Sequence, residues 1–249
     1  DNCSYGDVKF LYLSPERLQT EQFQQVIRKM KICLLAVDEA HCISQWGYDF
    51  RPPYMKIAEI RKFIPKAPVL ALTATATPDV IKDIQKSLEF KAENVFSKSF
   101  ERKNLTYVVI KEEDKNGRLL RILKKVPGPG IIYVRNRKKT AEAATWLSKS
   151  GITADFYHAG LDMAARSKKQ DAWIREEKRI MVATNAFGMG IDKPNVRLVV
   201  HIDLPDSIEA YFQEAGRGGR DEKRSYAVTL FHQADIAKLK ENFEKEYPP

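Results

Sequence analysis

The stretch Ile32-Cys33-Leu34-Leu35-Ala36-Val37-Asp38-Glu39-Ala40-His41 sets the fold class of this chain. An uninterrupted apolar run, long enough for one strand, ends in two carboxylates and a histidine. Such runs are typical of parallel strands buried on both faces, so Cys33 is expected to be a small buried side chain rather than a metal ligand. In open α/β sheets, ligands bind at the carboxyl ends of the strands. The stretch therefore predicts a ligand site at Asp38 and Glu39.

Strand-like and helix-like segments alternate along the rest of the chain, which predicts an α/β fold with parallel sheets. The predicted strands are residues 8–13, 32–37, 69–72, 131–134, 153–157, 180–183, 196–202 and 226–231. The predicted helices are residues 14–29, 54–63, 80–88, 140–150, 163–176, 207–214 and 235–246.

The pattern pauses over a polar, basic stretch near residues 96–104, so we expect two parallel-sheet lobes. The first lobe is predicted over residues 1–98, a linker over 99–104 and the second lobe over 105–234. Residues 235–249 are predicted to be a charged helix that leads toward further modules absent from this chain.

Composition limits the classes of protein that fit. The chain has 249 residues, 43% of them hydrophobic, and a net charge of +9. Residues 101–150 carry 13 Lys and Arg against 5 Asp and Glu, a surplus that fits either a nucleic-acid partner or a solvated charged surface. No apolar run approaches membrane-spanning length, and the three cysteines have no zinc-like spacing. We expect a cytoplasmic protein, associated with the nucleoid if the source is bacterial, with no membrane partner and no zinc.

The segment Gln213-Glu214-Ala215-Gly216-Arg217-Gly218-Gly219-Arg220-Asp221 is the most specific basic element. Two arginines three residues apart, with glycines between them, can bring guanidinium groups close to phosphates. An arginine can also stabilise charge on a transferring γ-phosphate. The alternative is a glycine-rich surface turn with solvated arginines.

Three further segments carry polar or aromatic side chains after predicted strands. Thr73 and its neighbouring threonines offer hydroxyls that can bond Asp38 or His41, or can simply cap the next helix. Thr184 could hold nucleic-acid phosphates and Asp192 could bond a nucleotide, or both could serve tight loop packing. The aromatic-rich loop, residues 44–52, can stack bases or plug into the core of its own lobe.

Together these segments resemble the RecQ family of DNA helicases, within helicase superfamily two, and the resemblance covers almost the whole chain. Residues 37–52 resemble the family's motif II running into its aromatic-rich loop, a highly specific combination. The other matching segments are residues 72–77 (motif III), 131–137 (motif IV), 157–161, 186–197 (motif V) and 213–220 (motif VI).

The resemblance implies two RecA-like lobes, the first truncated at its N-terminus, and an ATP-dependent helicase that unwinds DNA in the 3′–5′ direction during recombination and repair. ATP and Mg²⁺ are the implied cofactors, and single-stranded and partly duplex DNA the implied partners. Catalytic roles are implied for Asp38, Glu39, His41, Arg217 and Arg220, with Asp38 as the Mg²⁺ ligand. Contacts to ATP are implied for Asp38, Gln213, Asp192, Arg217 and Arg220. Contacts to DNA are implied for Ser44, Gln45, Trp46, Phe50, Arg51, Thr184 and His158.

The chain departs from the family pattern in three respects. None of its 12 glycines begins a G-x-x-x-x-G-K-[ST] phosphate-binding loop, so we expect this chain alone neither to bind ATP tightly nor to unwind DNA. Gly218 stands where alanine is usual, and Glu222 where glycine is usual. Two other functions fit less well: a nucleic-acid-binding module without ATP chemistry, and an RNA helicase of superfamily two, which generally lacks the aromatic-rich loop.

Overall fold

Parallel strand pairing organises both parts of this molecule, as the alternating pattern predicts. The computed structural model describes residues 3, 8–45, 50–99, 101–188 and 191–246. They divide into two units, Asp1–Lys98 and Ser99–Pro249. Among the helices described, none has the length and apolar character needed to cross a membrane.

The first unit contains a two-stranded parallel sheet, in which β1 (Leu35–Val37) pairs with β2 (Val69–Ala71). Its α-helices are α1 (Pro15–Leu18), α2 (Glu21–Ile27), α3 (Pro52–Met55) and α4 (Pro78–Ser87), with 3₁₀ helices at Ala40–Ile43 and Ile57–Lys62. The Thr77 hydroxyl caps α4 by accepting a bond from the Val80 amide. One core packs between β1 and α4 and is built from Val37, Ala40, Ile43, Ile57, Val80, Ile84 and Leu88.

The strand prediction for residues 32–37 was too long, and the prediction that Cys33 is buried was wrong. Cys33 is exposed, and within the run only Val37 is buried. Leu35 and Val37 face the core, whereas Leu34 on the opposite face is 50% exposed. Successive side chains of a strand point to opposite faces, and within the described residues this sheet has a core on one face only.

Two other predictions for the first unit were also wrong. Residues 8–13 form no strand, and Phe10 is 78% exposed, because within the described residues no neighbouring strand pairs with them. The helix predicted over 14–29 is broken at Thr20, whose backbone is extended (φ −75°, ψ 134°) and whose hydroxyl donates to the Arg17 carbonyl at 2.9 Å. Threonine side chains compete in this way with the helical backbone.

The second unit is a six-stranded, all-parallel sheet of order β3-β8-β7-β4-β6-β5. The strands are β3 (Leu105–Lys111), β4 (Gly130–Tyr133), β5 (Ala154–Tyr157), β6 (Ile180–Ala183), β7 (Leu198–His201) and β8 (Ser225–Phe231). The helices are α5 (Lys115–Lys125), α6 (Arg137–Lys149), α7 (Met163–Ile174), α8 (Ile208–Ala215) and α9 (Gln233–Glu246). Every residue of β4, β6 and β7 is buried, which is the pattern expected of central parallel strands.

The sequence analysis missed β3 and α5, although both carry a signal. β3 is rich in β-branched and aromatic residues, and it pairs with β8 at the edge of the sheet. In α5, Leu119 and Leu123 stand four residues apart and are both buried, as an amphipathic helix requires. The predicted linker, residues 99–104, falls in the second unit, where Arg102 and Asn104 bind the backbone near β8.

Candidate functional site

The acidic turn of the first unit, residues 38–41, directly follows β1. Asp38 is exposed, and its Oδ1 accepts a bond from the Glu39 amide at 2.9 Å. Glu39 has φ 49° and ψ 42°, a left-handed conformation that is uncommon outside glycine. Such conformations cost energy and persist only where the surrounding structure holds them in place. They are concentrated at functional sites. The turn leaves Asp38 in solvent and directs residues 40–43 into the core.

Buried His41 joins the acidic turn to the loop after β2. Its side chain is almost fully buried, and Nδ1 lies 3.0 Å from Oγ1 of Thr73 and 3.4 Å from Oε2 of Glu39. Thr73 also accepts a bond from the Thr75 amide at 3.2 Å. The ends of β1 and β2 are adjacent because Val37 is in register with Ala71. The predicted contact between a threonine hydroxyl and His41 is therefore present.

The residues of the aromatic-rich loop that were predicted to contact DNA differ in how exposed they are. Ser44 is buried, and its hydroxyl donates to Oδ2 of Asp83 on α4 at 2.6 Å, while its contact with DNA stays a prediction. Gln45 and Arg51 are exposed, and Phe50 is half-buried. Trp46 lies outside the described residues.

In the second unit, the residues of motifs V and VI lie against each other. We call residues 216–221, which follow α8, the arginine loop, and residues 184–196, which follow β6, the motif V loop. Nη1 of Arg217 donates to the Gly188 carbonyl. Nη1 of Arg220 lies 3.1 Å from Oδ1 of Asp192, whose side chain is 80% exposed. Gln213 is half-buried on α8, which begins at the Ser207 cap. The contacts between the two loops thus bring together three predicted site residues, Arg217, Arg220 and Asp192.

Backbone and side-chain bonds hold the arginine loop to the end of the motif V loop. The Gly219 amide donates to the Val196 carbonyl at 2.8 Å, and the Asp221 amide to the Pro194 carbonyl at 3.1 Å. Arg197 Nη2 donates to Oδ1 of Asp221 at 2.5 Å. The hydrogen bond from Arg197 holds the pKa of the Asp221 carboxyl below its ordinary value, and burial opposes this only in part. Glu222 adopts φ 62°, in the left-handed region that favours glycine.

Thr184 and His158 lie at the carboxyl edge of the six-stranded sheet. Thr184 is buried, and its Oγ1 accepts a bond from the Ala186 amide at 3.4 Å. His158 is half-buried, with its ring 5.8 Å from that of Phe156. A methyl group built on Gly160 would lie 3.2 Å from Nδ1 of His158 and 3.3 Å from Nη1 of Arg137. Glycine at this position therefore leaves room for both side chains at this edge.

A buried histidine–glutamate pair, missed by the sequence analysis, lies beneath α8. Nε2 of His201 is 2.8 Å from Oε2 of Glu214, and both side chains are buried. The His201 ring stacks on Tyr133 at 5.3 Å, and the Tyr133 hydroxyl donates to the Phe187 carbonyl at 3.0 Å. Burial raises the pKa of Tyr133 well above its ordinary value, so this phenol remains a hydrogen-bond donor. A histidine that ends an apolar strand was the available signal.

The two adjacent glycines of the arginine loop should respond differently to alanine. Gly219 has φ 59°, and an added Cβ would lie 2.6 Å from Nδ2 of Asn104 and 2.8 Å from the Lys223 carbonyl oxygen. We expect Gly219→Ala to cost about 2–4 kcal/mol, because left-handed strain and overpacking both apply. At Gly218 φ is not in the left-handed region, and the Cβ would lie 3.0 Å from Cδ1 of Leu105, 3.4 Å from the Ala215 carbonyl oxygen and 3.7 Å from Cγ2 of Val199.

We therefore expect Gly218→Ala to change the free energy of unfolding by less than about 1 kcal/mol. Urea unfolding of the chain measures both changes. Equal destabilisation by the two substitutions would contradict the geometry assigned to this loop.

Comparison with known proteins identifies the class to which this fold and site belong. Residues 2–84 match the family described as "DEAD/DEAH box helicase", and residues 114–222 match "Helicase conserved C-terminal domain". A single-residue variant of Saccharomyces cerevisiae Dbp5 bound to RNA and ADP BeF3 has a similar fold, with a TM-score of 0.66 at 22% identity over 91% of this chain and 61% of that one. The two units are thus the RecA-like α/β halves of a superfamily two helicase core.

The particular family follows from the sequence relatives. The chain is 44% identical to the ATP-dependent DNA helicase RecQ of Pasteurella multocida, over 94% of this chain and 37% of the relative. It is 42% identical to the protein of the same name from Bacillus subtilis, over 93% of this chain and 39% of the relative. The chain belongs to the RecQ family of helicases, and it spans less than two-fifths of the length of these two relatives.

Proposed function

We propose that this chain is part of an ATP-dependent DNA helicase that unwinds DNA in the 3′–5′ direction and acts in recombination and repair. The observation that carries the proposal is the contact of buried His41 with both Glu39 and Thr73. This contact links a carboxylate suited to nucleotide hydrolysis with a second loop that can respond to it. The names of the RecQ relatives support ATP as the nucleotide and DNA as the substrate.

The acidic turn suits Mg²⁺ and ATP in its chemistry. Mg²⁺ is usually bound through one or two carboxylates together with substrate phosphates, and Asp38 is an exposed carboxylate at a strand end. Bound Mg²⁺ would neutralise charge on the β- and γ-phosphates. Glu39 would orient the attacking water and accept its proton, while His41 holds the Glu39 side chain in place. Arg217, Arg220, Gln213 and Asp192 would serve the triphosphate from the second unit.

We assign DNA contact to side chains in the loops that follow the strands of both units. In the first unit these are Gln45, Phe50 and Arg51, together with Trp46 on sequence grounds. In the second unit they are Thr184 and His158 at the carboxyl edge of the sheet. Single-stranded and partly duplex DNA are the proposed substrates. The proposed place of action is the cytoplasm, at the nucleoid if the source is bacterial.

Hydrolysis stimulated by single-stranded DNA is the first test. Because residues 1–249 contain no phosphate-binding glycine loop, the test uses the whole protein that carries this chain. We expect Glu39→Gln to lower kcat about 10²- to 10⁴-fold, since it removes the base that accepts the proton of the water. Glu59→Gln, which changes an exposed carboxylate elsewhere in the first unit, is the matched control.

The outcomes separate the candidate functions. If Glu39→Gln hydrolysed ATP as fast as the wild type, the catalytic role assigned to the acidic turn would be wrong. Salt-dependent DNA binding that ignores nucleotide, without hydrolysis, would instead indicate a nucleic-acid-binding module. Strand separation is then measured on duplexes with 3′ and 5′ overhangs. Unwinding of RNA but not DNA would indicate an RNA helicase.

A further inference from the structure

Two side chains that precede β3 bind the arginine loop through its carbonyl groups. Nη2 of Arg102 donates to the Gly218 carbonyl at 3.1 Å and to the Gly219 carbonyl at 2.6 Å. Nδ2 of Asn104 donates to the same Gly219 carbonyl at 2.7 Å and to the Lys223 carbonyl at 3.0 Å. The carbonyl between the two arginines of the loop therefore accepts donors from two separate side chains.

The local fold makes this contact specific. The Ser225 amide donates to the Asn104 carbonyl at 2.9 Å, and Leu105 is then in register with Ser225, so residues 102–104 are tied to the start of the β3–β8 pair. At Gly219 any Cβ would stand only 2.6 Å from Nδ2 of Asn104. Glycine at this position allows the amide group to reach the carbonyl.

The arginine loop is consequently held from two directions. Its amides donate to the motif V loop, at Val196 and Pro194, and its carbonyls accept from Arg102 and Asn104. These bonds involve neither guanidinium group of the loop. The orientation of Arg220, whose head is partly exposed, thus depends on a backbone that Arg102 and Asn104 help to fix.

We propose that Arg102 and Asn104 are positioning residues for ATP hydrolysis, which hold the arginine loop so that Arg220 meets the γ-phosphate. This inference rests on the function proposed above. Neither side chain needs to touch the nucleotide, and the effect is one of geometry, since a misplacement of about 1 Å can cost about 10²-fold in rate.

The test compares Arg102→Ala and Arg102→Lys with Lys103→Ala in the whole protein. Lys103 is the exposed neighbour of Arg102, so its removal deletes the same charge without touching the loop. We expect Arg102→Ala to lower kcat about 10- to 100-fold with KM for ATP and affinity for single-stranded DNA changed less than about threefold. Lysine should rescue part of the loss, because it keeps one point donor but not the guanidinium fork.

Hydrogen exchange of the Gly219 amide gives a readout independent of activity. This amide donates to the Val196 carbonyl, and loosening of the loop should speed its exchange at least about 10-fold in Arg102→Ala. If Arg102→Ala fails to fold, exchange of the Gly219 amide is measured in Arg102→Lys and Asn104→Ala instead, and faster exchange there supports the inference.

Unchanged kcat and unchanged exchange would overturn the inference. An equal loss of kcat in Lys103→Ala would also overturn it, because the effect would then be one of charge alone. A wild-type protein without ATPase activity would refute the proposed function, while the exchange result would still show whether Arg102 holds the loop.

Discussion

Arg220→Ala is expected to lower kcat for ATP hydrolysis by about 10³- to 10⁵-fold, the range of an arginine that stabilises the transferring phosphoryl group. Arg220 is the better candidate for this role because its side chain is 39% exposed and its carboxylate partner Asp192 is itself in solvent. An exposed pair of this kind contributes little to stability. The free energy of unfolding should therefore change by less than about 1 kcal/mol.

Arg217→Ala provides the contrast. Its guanidinium is partly buried and donates to the Gly188 carbonyl, so its loss should reduce both activity and stability, the latter by about 1–3 kcal/mol. Single-turnover hydrolysis with saturating single-stranded DNA, paired with urea unfolding, measures both properties. Asp192→Asn, which keeps the shape but removes the charge, controls for the ion pair. If Arg217→Ala abolished hydrolysis at full stability while Arg220→Ala hydrolysed normally, the two roles would be reversed.

Gly188→Ala is expected to destabilise the second unit by about 2–5 kcal/mol. Gly188 has φ 139°, and an added Cβ would lie 2.1 Å from Cζ of Arg217 and 2.3 Å from its Nε. Left-handed strain costs about 1–3 kcal/mol, and loss of the bond from the partly buried Arg217 to the Gly188 carbonyl costs about 1–3 kcal/mol more. To relieve the collision, the guanidinium of Arg217 must leave the Gly188 carbonyl, so hydrolysis should fall as well.

Substitution of a second glycine, Gly151, separates the cost of backbone strain from the cost of the collision with Arg217. Gly151 has φ 81°, with nothing within 4 Å of an added Cβ, so Gly151→Ala should show the backbone cost alone, about 1–3 kcal/mol. Gly188→Ala and Arg217→Ala should also be non-additive, because both break the same contact. Urea unfolding of the two single variants and the double variant tests this. Additive changes in the free energy of unfolding would argue against a contact shared by Gly188 and Arg217.

The acidic turn illustrates what local sequence can reveal. A strand followed by two carboxylates placed Asp38 and Glu39 at a strand end, where the structure has them. The segments that resemble motifs V and VI were each recognisable from their own residues. Their contacts were not, because Asp192 and Arg220 are 28 residues apart and only the β6–β4–β7 order brings their loops together. The hydrogen bond from Arg102 to the Gly219 carbonyl joins residues 117 apart, so no local sequence pattern predicts it.

Cys33 shows where local reasoning failed, and Ser44 has a contact that local reasoning did not supply. Both were judged from their neighbours in sequence, yet burial depends on which face of an element meets a core. Cys33 is exposed because it precedes β1, which begins at Leu35 and pairs with β2 only from that residue on. Ser44 is buried because α4 brings Asp83 over it. The same reason accounts for His201 and Glu214, which pair across the contact between β7 and α8.

Short-range periodicity and spacing were enough to establish the parallel α/β class, most central strands and the chemical character of each loop, because these properties depend on residues within one or two turns or on a single strand. Tertiary packing decided which loops meet, which polar side chains face solvent and which glycines must stay glycine. Those properties depend on strand order and on contacts between residues far apart in the chain, such as Arg217 with Gly188 and Asn104 with Gly219.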